Sequence, residues 1–184
     1  MKEKNRFALK EWAMVVSALT QGKQIILLRK GGLSDQENLF SLEHKEFFMF
    51  PTHLHQQRIT VGREHLEKGS KFDVLTLTTY ANSKGIFWVK NLNLLKKLEP
   101  FHIFSIDEIK NRFSRGKIPG IQVLLLRVYK LSSPVQIPML PHFQGCKSWV
   151  DLGKEIPLLN FQPVLEDNAF YHQVKQIKKI CDGE

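Results

Sequence analysis

His53 and His55 stand one residue apart, and Gln56 follows directly. On an extended segment alternate side chains point the same way, so two imidazoles at this spacing face one direction. A neutral imidazole can ligate zinc, and a protonated one can bond phosphate. The Gln56 amide carries donor and acceptor together and suits a base edge. Upstream, within residues 43–57 (EHKEFFMFPTHLHQQ), His44 and Glu46 precede the bulky run Phe47, Phe48 and Phe50, which stops at Pro51. Proline lacks a ladder donor, so the segment reads as a strand that leaves its sheet just before the histidines. Zinc prefers four ligands, and His44, Glu46, His65 or Cys146 would have to converge on the pair. Spacing does not bring them together. The rim is therefore read as a recognition surface, with no metal and no cofactor assigned.

A second constellation is Arg29, Lys30, Gly31 and Gly32. Two cations at a strand end, beside glycines that allow close backbone approach, could grip a phosphate through guanidinium and amides; an ordinary glycine turn with solvated charges is the plain reading. Paired carboxylates open a rival chemistry. Glu43, Lys45 and Glu46, with Asp73 before the next strand, could hold a divalent ion for phosphodiester hydrolysis, with Glu46 and His55 as the catalytic candidates. Cys146 next to Lys147 could carry a depressed thiol pKa, although a lone cysteine is more often a small hydrophobe. Trp12, Trp88 and Trp149 could stack on bases, but Trp12 falls on an apolar stripe.

Charge favours the phosphate readings. Lysine and arginine number 27 against 18 acids, a net +9. A surplus of this size steers polyanions to a small domain. The cations are spread along the chain in short pairs such as Lys96-Lys97 and Lys178-Lys179, which implies a folded basic face rather than a tail. With 42% hydrophobic residues the chain is ordinary for a globular protein. No apolar run approaches the roughly 18 residues of a membrane span. Two cysteines exclude a disulfide framework, and the mixed-charge N-terminus does not read as a secretory signal. A cytoplasmic protein with no membrane contact is expected.

The elements that would position these groups follow from periodicity. Residues 8–21 place Leu9, Trp12, Val16 and Leu19 at helical spacing, and Gly22 is the natural stop. Residues 23–29 read as a strand, 39–50 as a strand or a pair of strand segments, 53–70 as a helix or loop, and 72–80 as a further strand that 86–90 continues. Residues 91–98 suggest a short helix. Ser105 with Glu108 marks the start of another, ending near Gly116. Residues 121–131 form the strongest strand, 132–152 an extended, proline-punctuated stretch, and 168–180 a C-terminal helix with one apolar and one lysine-rich face. This pattern predicts one domain over 1–184, with a helix and strand lead-in at 8–30. The class is α+β: a small mixed β-barrel or strongly curved sheet with peripheral helices.

The motifs ALKEWA at 8–13, LLRKGG at 27–32, EFFMFPTHLHQ at 46–56, LRVYKLSSP at 126–134, GCKSWVDL at 145–152 and PVLEDNAF at 163–170 resemble the bacterial family known as domain of unknown function 1802. That resemblance implies an association with restriction-modification-like systems, and hence DNA or RNA. A fainter resemblance is to the PUA-like superfold and its ASCH branch, whose motif is G-x-K-x-x-E-x-R. Gly22 and Arg29 keep its spacing, while Gln24 and Leu27 stand where the lysine and glutamate would be. Both departures remove groups suited to acid–base or nucleophilic work. The expectation is a nucleic-acid-binding domain, PUA-like in shape. Arg29, Lys30, Gly31 and Gly32 would grip phosphate, and His53, His55 and Gln56 would contact a base. A metal-dependent nuclease or hydrolase, or an accessory subunit with a protein partner in a defence-type complex, are the alternatives.

Overall fold

The computed structural model describes residues 2–30, 40–53, 73–116 and 118–183. The element order is β1 (Lys4–Trp12), α1 (Ala13–Thr20), β2 (Ile26–Arg29), β3 (Glu46–Thr52), β4 (Val74–Val89), α2 (Leu92–Lys97), α3 (Ile106–Ser114), β5 (Ile121–Pro138), β6 (Trp149–Pro157), β7 (Phe161–Pro163) and α4 (Asp167–Cys181). Short 3-10 turns lie at Glu99–Phe101 and Pro141–Phe143. The seven strands form one sheet in the order β2-β5-β4-β3-β1-β6, with β7 also on β5. Among the described residues only β1 and β3 run parallel; the other pairings are antiparallel. The class is the expected α+β, and of its two architectures the open curved sheet is observed rather than a closed barrel.

Two register shifts between β4 and β5, at Leu77/Thr79 and Ser83/Gly85, bend the long central hairpin. Curvature brings the sheet's two edges near each other, and side chains rather than a ladder bridge the seam. Arg29 on edge strand β2 donates to Ser148 Oγ beside edge strand β6. Phe40 exchanges backbone bonds with the Gln122 amide of β5 and stacks on Trp149 of β6, at 5.9 Å. Prolines close β5 and β6, at Pro138 and Pro157. Met139 N–H donates to Asp73 and Leu158 N–H to Glu3, so Pro138 and Pro157 occupy the alternate, outward-facing positions. A missing donor there blunts strand addition.

The apolar residues form two clusters. All four helices contribute to the first, through Val15, Leu19, Leu95, Ile109, Phe170 and Ile177, against Leu9, Phe47, Met49 and the β5 run from Val123 to Leu126. The second contains no α-helical residue: Ala8, Phe48, Phe50, Leu75, Leu77, Leu131 and Val150 meet as the sheet curls on itself, with Phe143 closing one side.

Two expectations need correction. Residues 8–12 are strand, not helix, and α1 starts only at Ala13. Ala8 and Leu9 are both fully buried, one in each cluster, so β1 shows no polar/apolar alternation, and its apolar spacing ran on smoothly into that of α1. Trp12 gives α1 no side-chain cap, so no start signal marked the boundary. Gly22 does stop the helix, at φ +69, where a Cβ would lie 3.0 Å from Leu165.

Pro51 does not end its strand either; β3 continues to Thr52. Ser83 N–H donates to Lys45 O, so odd-numbered backbone groups of β3 face β4, and that pairing stops at Phe48. The donor Pro51 lacks thus faces a side where, among the described residues, no ladder continues. As expected, residues 86–90 continue the strand that precedes them, and β4 runs from Val74 to Val89; β5 extends into the proline-punctuated stretch as far as Pro138. The expectation for residues 53–70 falls, apart from His53, outside the described residues.

Candidate functional site

The ends of β1, β2 and β3 meet on one rim. Parallel pairing sets Glu11 opposite Pro51 and Trp12 opposite Thr52, and the Thr52 hydroxyl donates to Glu11 O at 3.2 Å. Arg29 closes the group from β2: its Nη1 donates to Lys10 O at 3.1 Å and to the Glu11 carboxylate at 2.9 Å. Its guanidinium also lies 4.7 Å from the Phe40 ring centroid. Antiparallel pairing of β2 with β5 is what delivers Arg29 here, opposite Gln122 at the last rung.

Lys30, one residue on, is half-buried, and its ammonium donates to three carbonyls: Ile118 at 2.6 Å, Gly120 at 2.9 Å and Phe113 at 3.4 Å. It sits 5.4 Å over the Trp88 ring, and burial draws its pKa below the ordinary lysine value. Arg112 of α3 completes the cationic floor. It donates to Leu28 O at 2.9 Å and to Glu108 at 2.7 Å, with its guanidinium 4.2 Å from Trp12 and 4.1 Å from Phe104. Lys10 reaches Gly145 O at 2.9 Å; burial and the charge of Lys147 lower its pKa. Four cations are thus each held by protein oxygens: Arg29 and Arg112 are paired with Glu11 and Glu108, and Lys10 and Lys30 donate to backbone carbonyls. The floor is rigid and net positive, but its donors already point at protein oxygens.

The structure therefore brings Arg29, Lys30 and the exposed His53 to one end of the sheet. Gly31, Gly32, His55 and Gln56 lie outside the described residues. Glu46 goes elsewhere. It opens β3 while His53 follows its end, which separates them by about 20 Å at strand rise. Its carboxylate accepts from Lys2 N–H at 2.9 Å, Tyr80 O–H at 3.1 Å and Asn82 Nδ2 at 3.0 Å. Asn5 Nδ2 in turn donates to Tyr80 Oη at 3.0 Å, while Asn5 Oδ1 accepts from the Arg6 and Phe7 amides at the β1 bulge. Burial, with the Glu46 charge adding to it, pushes the Tyr80 phenol well above its ordinary pKa. This network joins β1, β3 and β4 as a structural lock.

His44 stacks on Phe7 at 3.8 Å and meets Trp149 edge-on at 5.1 Å; burial lowers its pKa. Trp149 donates Nε1–H to Ser41 O, so His44 and Trp149 fasten residues 40–45 across the seam. Among the described residues no three His, Cys, Asp or Glu side chains converge as metal ligands. Cys146 is exposed.

Sequence reasoning missed Glu11, Ser148 and Arg112. Glu108 and Arg112 carry a readable i,i+4 signal. Glu11 was hidden by the helical reading of β1, and Ser148 reaches Arg29 from 119 positions away, which nothing local encodes.

The sequence profile of the family "Domain of unknown function (DUF1802)" matches residues 8–176. The chain belongs to this family. No curated protein matches it. Among solved structures it is similar to ASCH from Zymomonas mobilis, at 13% identity and a TM-score of 0.47, over 92% of this chain and 93% of that one. A point mutant of that ASCH protein gives 11% identity and a TM-score of 0.45 over 95% and 98%. Likeness at this level transfers neither a site nor an activity to this member of the DUF1802 family.

Proposed function

We propose that this DUF1802 protein is a nucleic-acid-binding domain whose recognition rim is the meeting point of the β1, β2 and β3 ends. The observation that carries the reading is the surplus of 27 basic over 18 acidic residues. Ion pairing removes one charge of each sign and leaves that surplus intact, so a field of positive potential extends from the surface and attracts phosphate. In this reading Arg29 and Lys30 act mainly as positioning residues. Their protein partners hold the rim's shape while their charge adds to the field, and direct contacts with the nucleic acid are assigned to His53, His55 and Gln56.

The metal-dependent nuclease reading gains no support from Glu46, whose carboxylate already accepts three donors and lies a strand's length from His53. Membership of a restriction-type assembly rests on no feature of the described residues. The test is fluorescence anisotropy of the full chain with labelled RNA and DNA oligonucleotides at low salt, about 50 mM, where phosphate-driven binding is strong. Saturable binding to either polymer is expected; no binding to both overturns the proposal.

A further inference from the structure

Resting on the nucleic-acid reading above, we infer that the exposed face of α4 is the phosphate-tracking surface, with Tyr171 as a stacking platform for an unpaired base. Helix α4 buries Phe170 and Ile177 at 3% and 0% exposure, with Val174 and Cys181 partly buried on the same stripe. At 100° per residue, Tyr171, Lys175, Lys178 and Lys179 then fall together on the outward side, spaced i, i+4, i+7 and i+8. All four are exposed, and Tyr171 is 64% so. No ion pair engages the three lysines among the described residues. Helix α2 packs beside α4 and adds exposed Lys96 and Lys97 in its last turn.

The surface is held rigidly. Arg127, in β5, donates to Asp167 in the first turn of α4 at 2.6 Å and lies 4.5 Å from the Phe170 ring, fixing the helix to the sheet. Phe170 meets Tyr171 edge-on at 5.3 Å, which steadies the exposed ring. A pre-set aromatic flanked by cations is the arrangement that tracks a single strand, with lysines on phosphates and the ring against a base.

Two plainer accounts fall short. Lysines in a last helical turn complement the helix dipole, which covers Lys96, Lys97, Lys178 and Lys179. It does not cover Lys175 in the middle of α4 or an exposed tyrosine among cations. A basic amphipathic helix can also lie on an anionic membrane, but that needs a free apolar face. Here that face is buried against the sheet and α2, so only Tyr171 could insert.

The experiment uses the full chain, labelled single-stranded RNA and DNA oligonucleotides, and vesicles containing phosphatidylserine. The Lys175→Gln, Lys178→Gln, Lys179→Gln triple variant is compared with a charge-matched control, Lys84→Gln, Lys130→Gln, Lys154→Gln, whose lysines are also exposed. Each lost phosphate contact lowers the log–log salt slope by about 0.7 on a single strand, so the α4 variant should lose about 2 in slope and bind roughly tenfold or more weakly. The control should keep the wild-type slope, and Tyr171→Ala should weaken binding without changing it. Equal losses in both triple variants would mean diffuse charge and overturn the α4 face while leaving nucleic-acid binding standing. Oligonucleotide binding untouched by the α4 variant, with vesicle binding abolished, would overturn it in favour of a membrane. Failure of the wild-type protein to bind any oligonucleotide would overturn the underlying reading as well. Matching circular dichroism and melting curves for all variants keep folding out of the comparison.

Discussion

Replacing Arg29 with alanine should destabilise the fold rather than merely weaken a ligand. The Arg29 side chain is 14% exposed and its partner Glu11 only 4%. Truncation removes donors to Glu11, Lys10 O and Ser148 together, along with the contact on Phe40. The dominant loss is the Glu11 carboxylate left buried without its counter-charge, and breaking such a pair from one side costs about 3–5 kcal/mol. At about 2–4 °C per kcal/mol for a domain of this size, the melting temperature should fall by roughly 6–20 °C. Urea denaturation followed by circular dichroism gives the free energy directly. A companion variant, Arg29→Met with Glu11→Leu, should recover much of the loss, because it removes both charges and keeps the volume. Lysine at position 29 should not rescue, since it lacks the planar fork that serves three acceptors. An Arg29→Ala protein melting within about 2 °C of wild type would refute the reasoning, and Arg29 would then be a surface cation free to grip phosphate.

Other outcomes follow from the same geometry. Gly120→Ala would place a Cβ 2.7 Å from the Trp88 ring at φ +141, so the ring that Lys30 covers must shift; a loss of about 2 kcal/mol or more is expected in denaturant titration. Ser105→Ala removes the side chain that accepts from Glu108 N–H at the start of α3 and should cost about 1 kcal/mol. Burial, aided by Arg112, draws the His102 pKa down to about 4. The unfolded chain therefore takes up a proton near pH 6.5 that the folded chain refuses, and stability falls as pH drops from there toward 4, by up to about 1.4 kcal/mol per unit. Comparing wild type with His102→Gln at pH 7 and pH 5 checks this: the variant should lose less stability over the interval, and an equal loss would contradict it.

What the sequence made legible was local. Ser105 and Glu108 announce α3 because the cap and its partner lie three residues apart. The stripe of Phe170, Val174 and Ile177 announces α4, and the run from Ile121 to Leu131 announces β5. The reading of β1 failed because a strand buried on both faces loses its two-residue rhythm, and the helix after it continued the same apolar spacing. Pro51 misled because its missing donor is harmless where, among the described residues, the pairing with β4 has already stopped, which only the register reveals. At the site, Arg29, Lys30 and His53 were rightly placed near strand ends. Their partners Glu11, Ser148 and the carbonyls of Ile118 and Gly120 come from distant positions, so the rim's rigidity was invisible. Glu46 and His53 looked adjacent at seven residues, yet an extended strand converts that spacing into opposite ends of the sheet.

The most direct test of the central claim is the salt dependence of oligonucleotide affinity, measured by anisotropy across a series of salt concentrations. Phosphate-driven binding by the basic surface predicts a linear log–log plot with a slope steeper than about −2, equivalent to three or more contacted phosphates. A flat plot, or no binding to RNA or DNA at the lowest salt, would contradict it.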